Sequence, residues 1–315
     1  MTEISAGRLG AGTRPRRFAD PLFRYGTAAC ASVVLLLLGG MLVRTTWSAW
    51  PAFRHAGFGF LTGGWNPTAG QFGAWPLIYG TLVTSVIALL LGVPVALLIA
   101  LFVSEIAPPR LGTGLSYVVD LLAAVPSVVY GLWGVFVLVP FLTTYLWQPL
   151  SAHVGFIPFF AQYSSGRNFA TAGVILALMI VPIISAICRE VFRTVPAEER
   201  EAALAMGATR WEMLRMAVLP RSQQGVVAAV MLGFGRAVGE TIAVAYLVGN
   251  FPSVTVHLLQ PGSTIAETIA LQFNEAASTP LFKSALIGLG VVLFAMTLLI
   301  NVAARLIMRR GRAAA

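Results

Sequence analysis

RTVPAEEREAALAMGATRWEMLRMAVLPRS, residues 193–222, is the polar stretch on which the reading of the whole chain turns. It carries the signals of a helix, a corner and a second helix. Pro196 suits a first helical turn, Glu198 and Glu199 favour the positive end of a helix dipole, and Gly207 supplies a C-terminal stop. Thr209 and Glu212 make a T-x-x-E capping box for the second helix, which Pro220 is expected to end. Apolar runs of membrane-spanning length lie on both sides, so the segment is pinned between spans. That argues against a DNA-reading helix-turn-helix, while an amphipathic helix lying on the membrane surface fits the same signals.

The rest of the chain supports a membrane setting. Apolar residues make up 57% of it, charged residues only 10%, and the mean hydropathy is +0.82, against about 25% charged in ordinary soluble domains. Six spans are expected, near Tyr25 to Val43, Leu77 to Val103, Tyr117 to Thr143, Phe169 to Cys188, Val226 to Gly249 and Ser284 to Ala304. The uncharged region 121–166 could hold two spans. Its second half is broken by Pro149 and Pro158 and carries Gln148, His153 and Gln162, so an outer loop is expected there. The Arg-rich start resembles the head of a signal peptide, but the apolar run after it is longer than usual and no A-x-A site follows closely, which favours an uncleaved first span.

The net charge of +9 is explained by topology rather than by nucleic-acid binding. Arg8, Arg14, Arg16, Arg17 and Arg24 precede the first span, Arg189 to Arg221 fill the loop after the fourth, and Arg305, Arg309, Arg310 and Arg312 follow the sixth. The outer loops hold only Arg54, Arg167 and Lys283, with Arg44 at an outer helix end. Positive residues stay on the cytoplasmic side, so both termini are expected inside and the span count is even. The organisation is then a cytoplasmic N-tail (1–24), a six-span domain (25–304) with a cytoplasmic loop at 189–222, and a C-tail (305–315). Cys30 and Cys188 lie in apolar runs and form no disulfide framework, and His55, His153 and His257 fall in separate loops, so no metal site is expected.

Span five, GVVAAVMLGFGRAVGETIAVAYLVGN, contains Arg236 and Glu240. Ionisable residues within a span are costly and face a bundle interior or a watery cavity. Arg236 lies about 15 Å along a helix from Val226, near the middle of a core about 30 Å thick, with Glu240 one turn further on the same face. Gly235 and Gly239 would let another helix approach. An Arg guanidinium suits a tetrahedral oxyanion because it stays charged and donates paired hydrogen bonds. An anion path is one reading and an ion pair that fastens helices is the other. Thr241 is a further hydrogen-bonding candidate.

Residues Glu201, Ala202, Ala203, Gly207, Leu219 and Pro220 resemble the EAA loop of ABC importer permeases, with Ala217 where that pattern has Ile. The segment LGFGRAVGETIAV, with Gly249 and Asn250 after it, resembles the GRAxGET signature of the phosphate-specific permease family PstC. The run DLLAAVPSVVYGLWG from Asp120 resembles the same family's third-span signature, which more often begins with Glu. The resemblance implies an all-α, polytopic type I ABC importer permease in a bacterial inner membrane. It also implies docking of Glu201 to Pro220 on a separate ATPase, and Arg236 and Glu240 in the translocation path. The implied partners are a second permease (PstA-like), an ATPase dimer (PstB-like) and a phosphate-binding protein (PstS-like), with no nucleic acid.

No P-loop is present: Lys283, the only lysine, lacks the G-x-x-x-x-G-K-[S/T] setting. This chain is therefore expected to bind no cofactor and to be no enzyme, ATP and Mg belonging to the partner ATPase. Asp120 is expected as a helix-end or interhelical partner, Ser127 and Tyr130 as either path or packing residues, and Pro94 and Pro182 as kinks. A permease for sulfate, molybdate or phosphonate remains open. A secondary anion transporter would show related halves, and a membrane enzyme would need a nucleophile or carboxylate dyad; neither is visible.

Overall fold

The computed structural model describes residues 19–313. The greater part of the expected N-tail, with Arg8, Arg14, Arg16 and Arg17, lies outside the described residues. The chain divides into two compact units, residues 1–47 and 48–315. In the first unit the described residues form most of helix α1 (Ala19–Ala56), which starts ahead of Tyr25 and is apolar around its whole circumference, as a helix in lipid requires.

The second unit holds α2 (Trp75–Ile106), α3 (Pro109–Ala124), α4 (Ser127–Val154), α5 (Phe169–Arg193), α6 (Ala197–Ala205), α7 (residues 210–239), α8 (Ile242–Leu247), α9 (Ile265–Gln272) and α10 (Pro280–Ala313). A hairpin of two two-residue strands, Trp65–Asn66 and Gln71–Phe72, closes the connection before α2. Among the described residues, five helices are long and apolar enough to cross a membrane: Phe23–Ala56, Trp75–Ile106, Ser127–Val154, Phe169–Arg193 and Pro280–Leu306. α7 supplies the remaining expected segment. Apart from that hairpin the architecture is all-α and polytopic.

α5 is the central helix. Its most apolar stretch is 67% buried, against 33% or less for the other spans. Phe169, Leu176, Ile180, Ile184, Cys188 and Phe192 recur at spacings of seven and four residues along its axis and are all buried. Asn168 caps it, its side chain accepting from Thr171 N at 2.9 Å. α7 crosses α5 closely at Gly233, where a Cβ would lie 2.5 Å from Ile184 Cδ1.

Three expectations need correction, and prolines explain two of them. The third span is Ser127–Val154 rather than Tyr117 to Thr143. Residues 109–124 form the separate helix α3, set off at Pro126, so Asp120 belongs to α3 and does not begin a span. The expected outer loop begins only after Val154, because α4 passes both Pro140 and Pro149. Pro220 likewise does not end the second loop helix; the helix runs on unbroken into α7.

Each of these three prolines follows a five-residue π-turn: Gly134–Leu138, Thr143–Trp147 and Leu214–Val218. Proline has no N–H and its ring collides with the carbonyl four residues back. In each case that carbonyl lies within the widened turn, whose i→i+5 bonds, such as Leu219 N–H to Leu214 O, swing it clear. The third correction is at span five. It is not continuous from Val226 to Gly249 but breaks at Glu240 and Thr241.

Candidate functional site

The loop after α5 folds as its caps dictate. Pro196 precedes α6, and Gly207 turns the chain at φ +86°, a left-handed conformation suited to glycine. Thr209 and Glu212 form the reciprocal capping box: Glu212 N donates to Thr209 Oγ1 at 3.3 Å, and Thr209 N donates to Glu212 Oε2 at 2.8 Å. The Thr209 backbone N–H and the Thr209 hydroxyl, each donating to Glu212 Oε2 at 2.8 Å, hold the Glu212 carboxyl below its ordinary pKa. Ala203, Met213, Leu214 and Val218 are buried with Phe192 and Val195 of the α5 end. Glu201, Ala202, Gly207 and Pro220 stay exposed and Leu219 is half-buried.

Two ion pairs tie this loop to neighbouring helices. Arg200 of α6 donates to Glu105 at 2.8 Å and to Phe192 O at 2.7 Å. Glu105 closes α2 with its side chain only 7% exposed, so the loop is anchored on a buried carboxylate. Arg189 of α5 meets Asp120 of α3 at 2.6 Å, an interhelical pair. Glu105 was not legible beforehand, since its partner is 95 residues away. Exposed Met206, Leu204 and Trp211 were also passed over. Their signal is an apolar side chain on a polar loop, the kind of residue that anchors an interface.

α7 carries the loop directly into the membrane segment. Residues 210–239 form one helix, about 45 Å long at 1.5 Å per residue, with Thr209 just before one end and Arg236 near the other. Arg236 lies in the last turn of α7, where the dipole favours a cation, and Glu240 precedes α8, whose N-terminus favours an anion. Their side chains meet at 3.2 Å, with Arg236 46% exposed and Glu240 4%. Glu240 Oε1 also accepts from Ala243 N at 3.4 Å. The pair is thus lopsided: a buried anion, and a cation that water or a solute can reach.

Thr241, in the break, donates its hydroxyl to Gly239 O at 3.2 Å, so toward a solute it offers an acceptor until that bond opens. Gly235 and Gly239 have no heavy atom within 4 Å of a would-be Cβ, leaving this face of α7 open within the chain. The path candidates 236, 240 and 241 are brought together at the break; the loop candidates 201–220 lie at the other end of the same helix.

Beyond α8 the chain turns back through Gly249 and Asn250, both at positive φ, and Gly249 pairs with Gly262. α9 opens on half of a capping box, Thr264 N donating to Glu267 Oε2 at 2.8 Å while the buried Thr264 hydroxyl has no partner among the described residues. Glu267 is 2% exposed. Burial pushes its carboxyl up to about 7 against the lowering effect of the Thr264 bond, and the Asn250 amide donates to its Oε1 at 2.7 Å.

Residues 92–312 match the family described as binding-protein-dependent transport system inner membrane component. The chain is 43% identical over 303 residues to a phosphate transport system permease protein PstC of Mesorhizobium japonicum, covering 94% of this chain and 92% of that one. It is 42% identical over 297 residues to a PstC of Xylella fastidiosa (93% and 91%). A probable PstC of Methanocaldococcus jannaschii is 34% identical over 296 residues (92% and 94%). Among solved structures, a bacterial ABC transporter involved in import of the acidic polysaccharide alginate aligns with TM-score 0.57 at 18% identity, covering 92% of this chain and 99% of that one. An inward-facing MetNI methionine ABC transporter aligns with TM-score 0.54 at 19% identity (78% and 98%). These two likenesses concern the fold alone.

Proposed function

The chain belongs to the binding-protein-dependent transport system inner membrane components, and on that footing we propose that it is the permease subunit of an ATP-driven importer of inorganic phosphate. The observation that carries the reading is Arg236: a half-exposed guanidinium in the membrane segment, at the end of a helix that begins in the docking loop. Relatives at up to 43% identity named as phosphate permeases support the choice of anion.

The partners are a second permease of the PstA kind, two copies of a PstB-like ATPase that hydrolyse ATP with Mg, and a PstS-like binding protein that delivers phosphate. The chain performs no covalent chemistry. It sits in the inner membrane with both termini cytoplasmic, as the arginine distribution supports. Glu201, Ala202 and Gly207, with the exposed Met206 and Trp211, meet the ATPase, while Ala203, Leu219 and Pro220 shape the loop behind them. Closure of the ATPase pair moves α6 and the start of α7, and α7 carries that movement to Arg236.

At Arg236 the arriving anion competes with Glu240. Glu240 keeps the guanidinium compensated between cycles, and an oxyanion with two acceptor edges takes over the exposed donors. Because the guanidinium is shared, the anion is held loosely enough to leave. The test is uptake of labelled phosphate by the four-component complex in vesicles, with sulfate as competitor. ATP-dependent phosphate uptake that excess sulfate does not reduce is expected; uptake of sulfate in preference would overturn the assignment. Deleting residues 197–213 should release the ATPase from the purified complex, and its retention would refute the docking role.

A further inference from the structure

A cavity of about 620 Å³ lies between α5, α7 and α10, within the range of about 300 to 1,000 Å³ of small-molecule sites. Its α7 wall runs from Ala228 through Leu232 to Gly235 and Arg236, one helical face at spacings of three and four. Its α10 wall presents Asn301 and Arg305, one turn apart and so on one face. Ile183 closes it from α5. Two guanidiniums therefore share one cavity whose lining includes no carboxylate.

Arg305 stands at the end of the apolar stretch Pro280–Leu306. An arginine there would ordinarily extend its side chain into the headgroup layer. Here it borders the same space as Arg236, and among the described residues it has no acidic partner within salt-bridge distance, whereas Arg236 has Glu240 at 3.2 Å. Asn301 adds polar capacity beside it: its Nδ2 donates to Thr297 O at 2.9 Å, leaving Oδ1 to accept from a water or from the hydroxyl of a protonated phosphate.

We propose that Arg305, with Asn301 one turn before it, forms a second oxyanion station on the cytoplasmic side of Arg236, so that phosphate passes from one guanidinium to the other through this cavity. The proposal rests on the reading of Arg236 as a path residue and adds the exit half of that path. The direction follows from the charges. At Arg236 an anion competes with a buried carboxylate, while at Arg305 it meets an uncompensated cation, so the transfer inward is favourable. Two stations of moderate strength pass an ion along better than one strong site, which would hold it. Gly235, with no atom near its missing Cβ, leaves the wall between them clear.

The shared chemistry, a phosphate-type oxyanion on Arg305, could equally be met by a lipid headgroup. The free anion is favoured because the cavity extends to Arg236, about 15 Å along the helix from Val226 and deeper than a headgroup reaches. The experiment uses the complete complex with its partner permease, ATPase and binding protein, in vesicles of phosphatidylcholine alone and of phosphatidylcholine with phosphatidylglycerol. Labelled inorganic phosphate moved per ATP hydrolysed is measured for the parent, Arg305→Gln, Arg305→Lys and Arg236→Gln, with recovery of assembled complex followed by gel filtration.

The expected result is a fall of at least tenfold for Arg305→Gln in both lipid compositions, with at least a third of the parent value restored by Arg305→Lys. A ratio within twofold of the parent for Arg305→Gln, beside an inactive Arg236→Gln, would overturn the second station and leave the first intact. A deficit confined to vesicles with phosphatidylglycerol would assign Arg305 to the lipid and overturn the proposal. Equal loss in the Gln and Lys variants together with reduced complex recovery would make Arg305 structural and overturn it too. Normal transport by Arg236→Gln would remove the path reading itself.

Discussion

The lopsided burial of the Arg236 and Glu240 pair makes its two halves unequal under substitution. Arg236→Gln strands a carboxylate that is 4% exposed, with one long bond from Ala243 N at 3.4 Å as its remaining support. Breaking a fully buried pair costs about 3 to 5 kcal/mol. Arg236 is 46% exposed, so solvent already screens part of the attraction; about 2 kcal/mol is expected. Glu240→Gln leaves a cation that water reaches, at a cost of about 1 kcal/mol or less. The double variant strands no charge and should recover most of the loss. Thermal stability of the purified complex, read by gel filtration after a heating series, gives the stability arm, and phosphate uptake gives the functional one. If Arg236 served only to hold Glu240, the double variant would regain uptake as it regains stability. With Arg236 in the path, the double variant is stable and inactive. Recovered uptake would refute the path role, and an Arg236→Gln protein as stable as the parent would refute the electrostatic argument.

Thr209→Ala removes the hydroxyl half of the reciprocal cap while the backbone N–H of residue 209 still donates to Glu212, and should cost the loop helix about 1 kcal/mol, seen as weaker retention of the ATPase on the purified complex; unchanged retention would show that the cap does not set the docking surface. Glu267 is expected to make the segment after α8 pH-dependent. Its folded carboxyl is raised to about 7 from 4.5, so its contribution is fully present below about pH 4.5 and is lost as pH rises through 7; Glu267→Gln should flatten that part of the stability profile, and identical slopes would count against it. Gly262→Ala would place a Cβ 2.0 Å from the Phe169 ring, and overpacking of this kind costs about 1 to 3 kcal/mol, measurable as a lower midpoint in the same heating series.

Chemistry that is local in the chain was legible in the sequence. The capping box at Thr209 and Glu212, the turn at Gly207 and the central apolar helix from Phe169 all follow from neighbours within four residues, and each is present in the structure. Proline misled for a physical reason: the rule that it ends a helix assumes ideal i→i+4 turns, and this protein sets a π-turn before Pro149 and Pro220. Nothing within a few residues announces such a turn. Long-range partners were equally hidden, since Glu105 and Arg200 lie 95 residues apart.

The break at Glu240 joins the two kinds of information. The run from Val226 to Gly249 is apolar enough for one helix, yet Gly239 lowers the cost of stopping. Stopping there places Arg236 at a C-terminus and Glu240 at an N-terminus, so both charges gain from helix dipoles. In an unbroken helix neither would have that support, and burying Glu240 would depend on Arg236 alone. The break also ends the helix that starts at Arg210, so movement along α7 can shift the cation against its anion without carrying α8 with it. If so, joining the two helices with alanine at Gly239 and Thr241 should lower phosphate moved per ATP while the ATPase stays bound. Transport at the parent ratio by that variant would mean that the break is needed for packing alone.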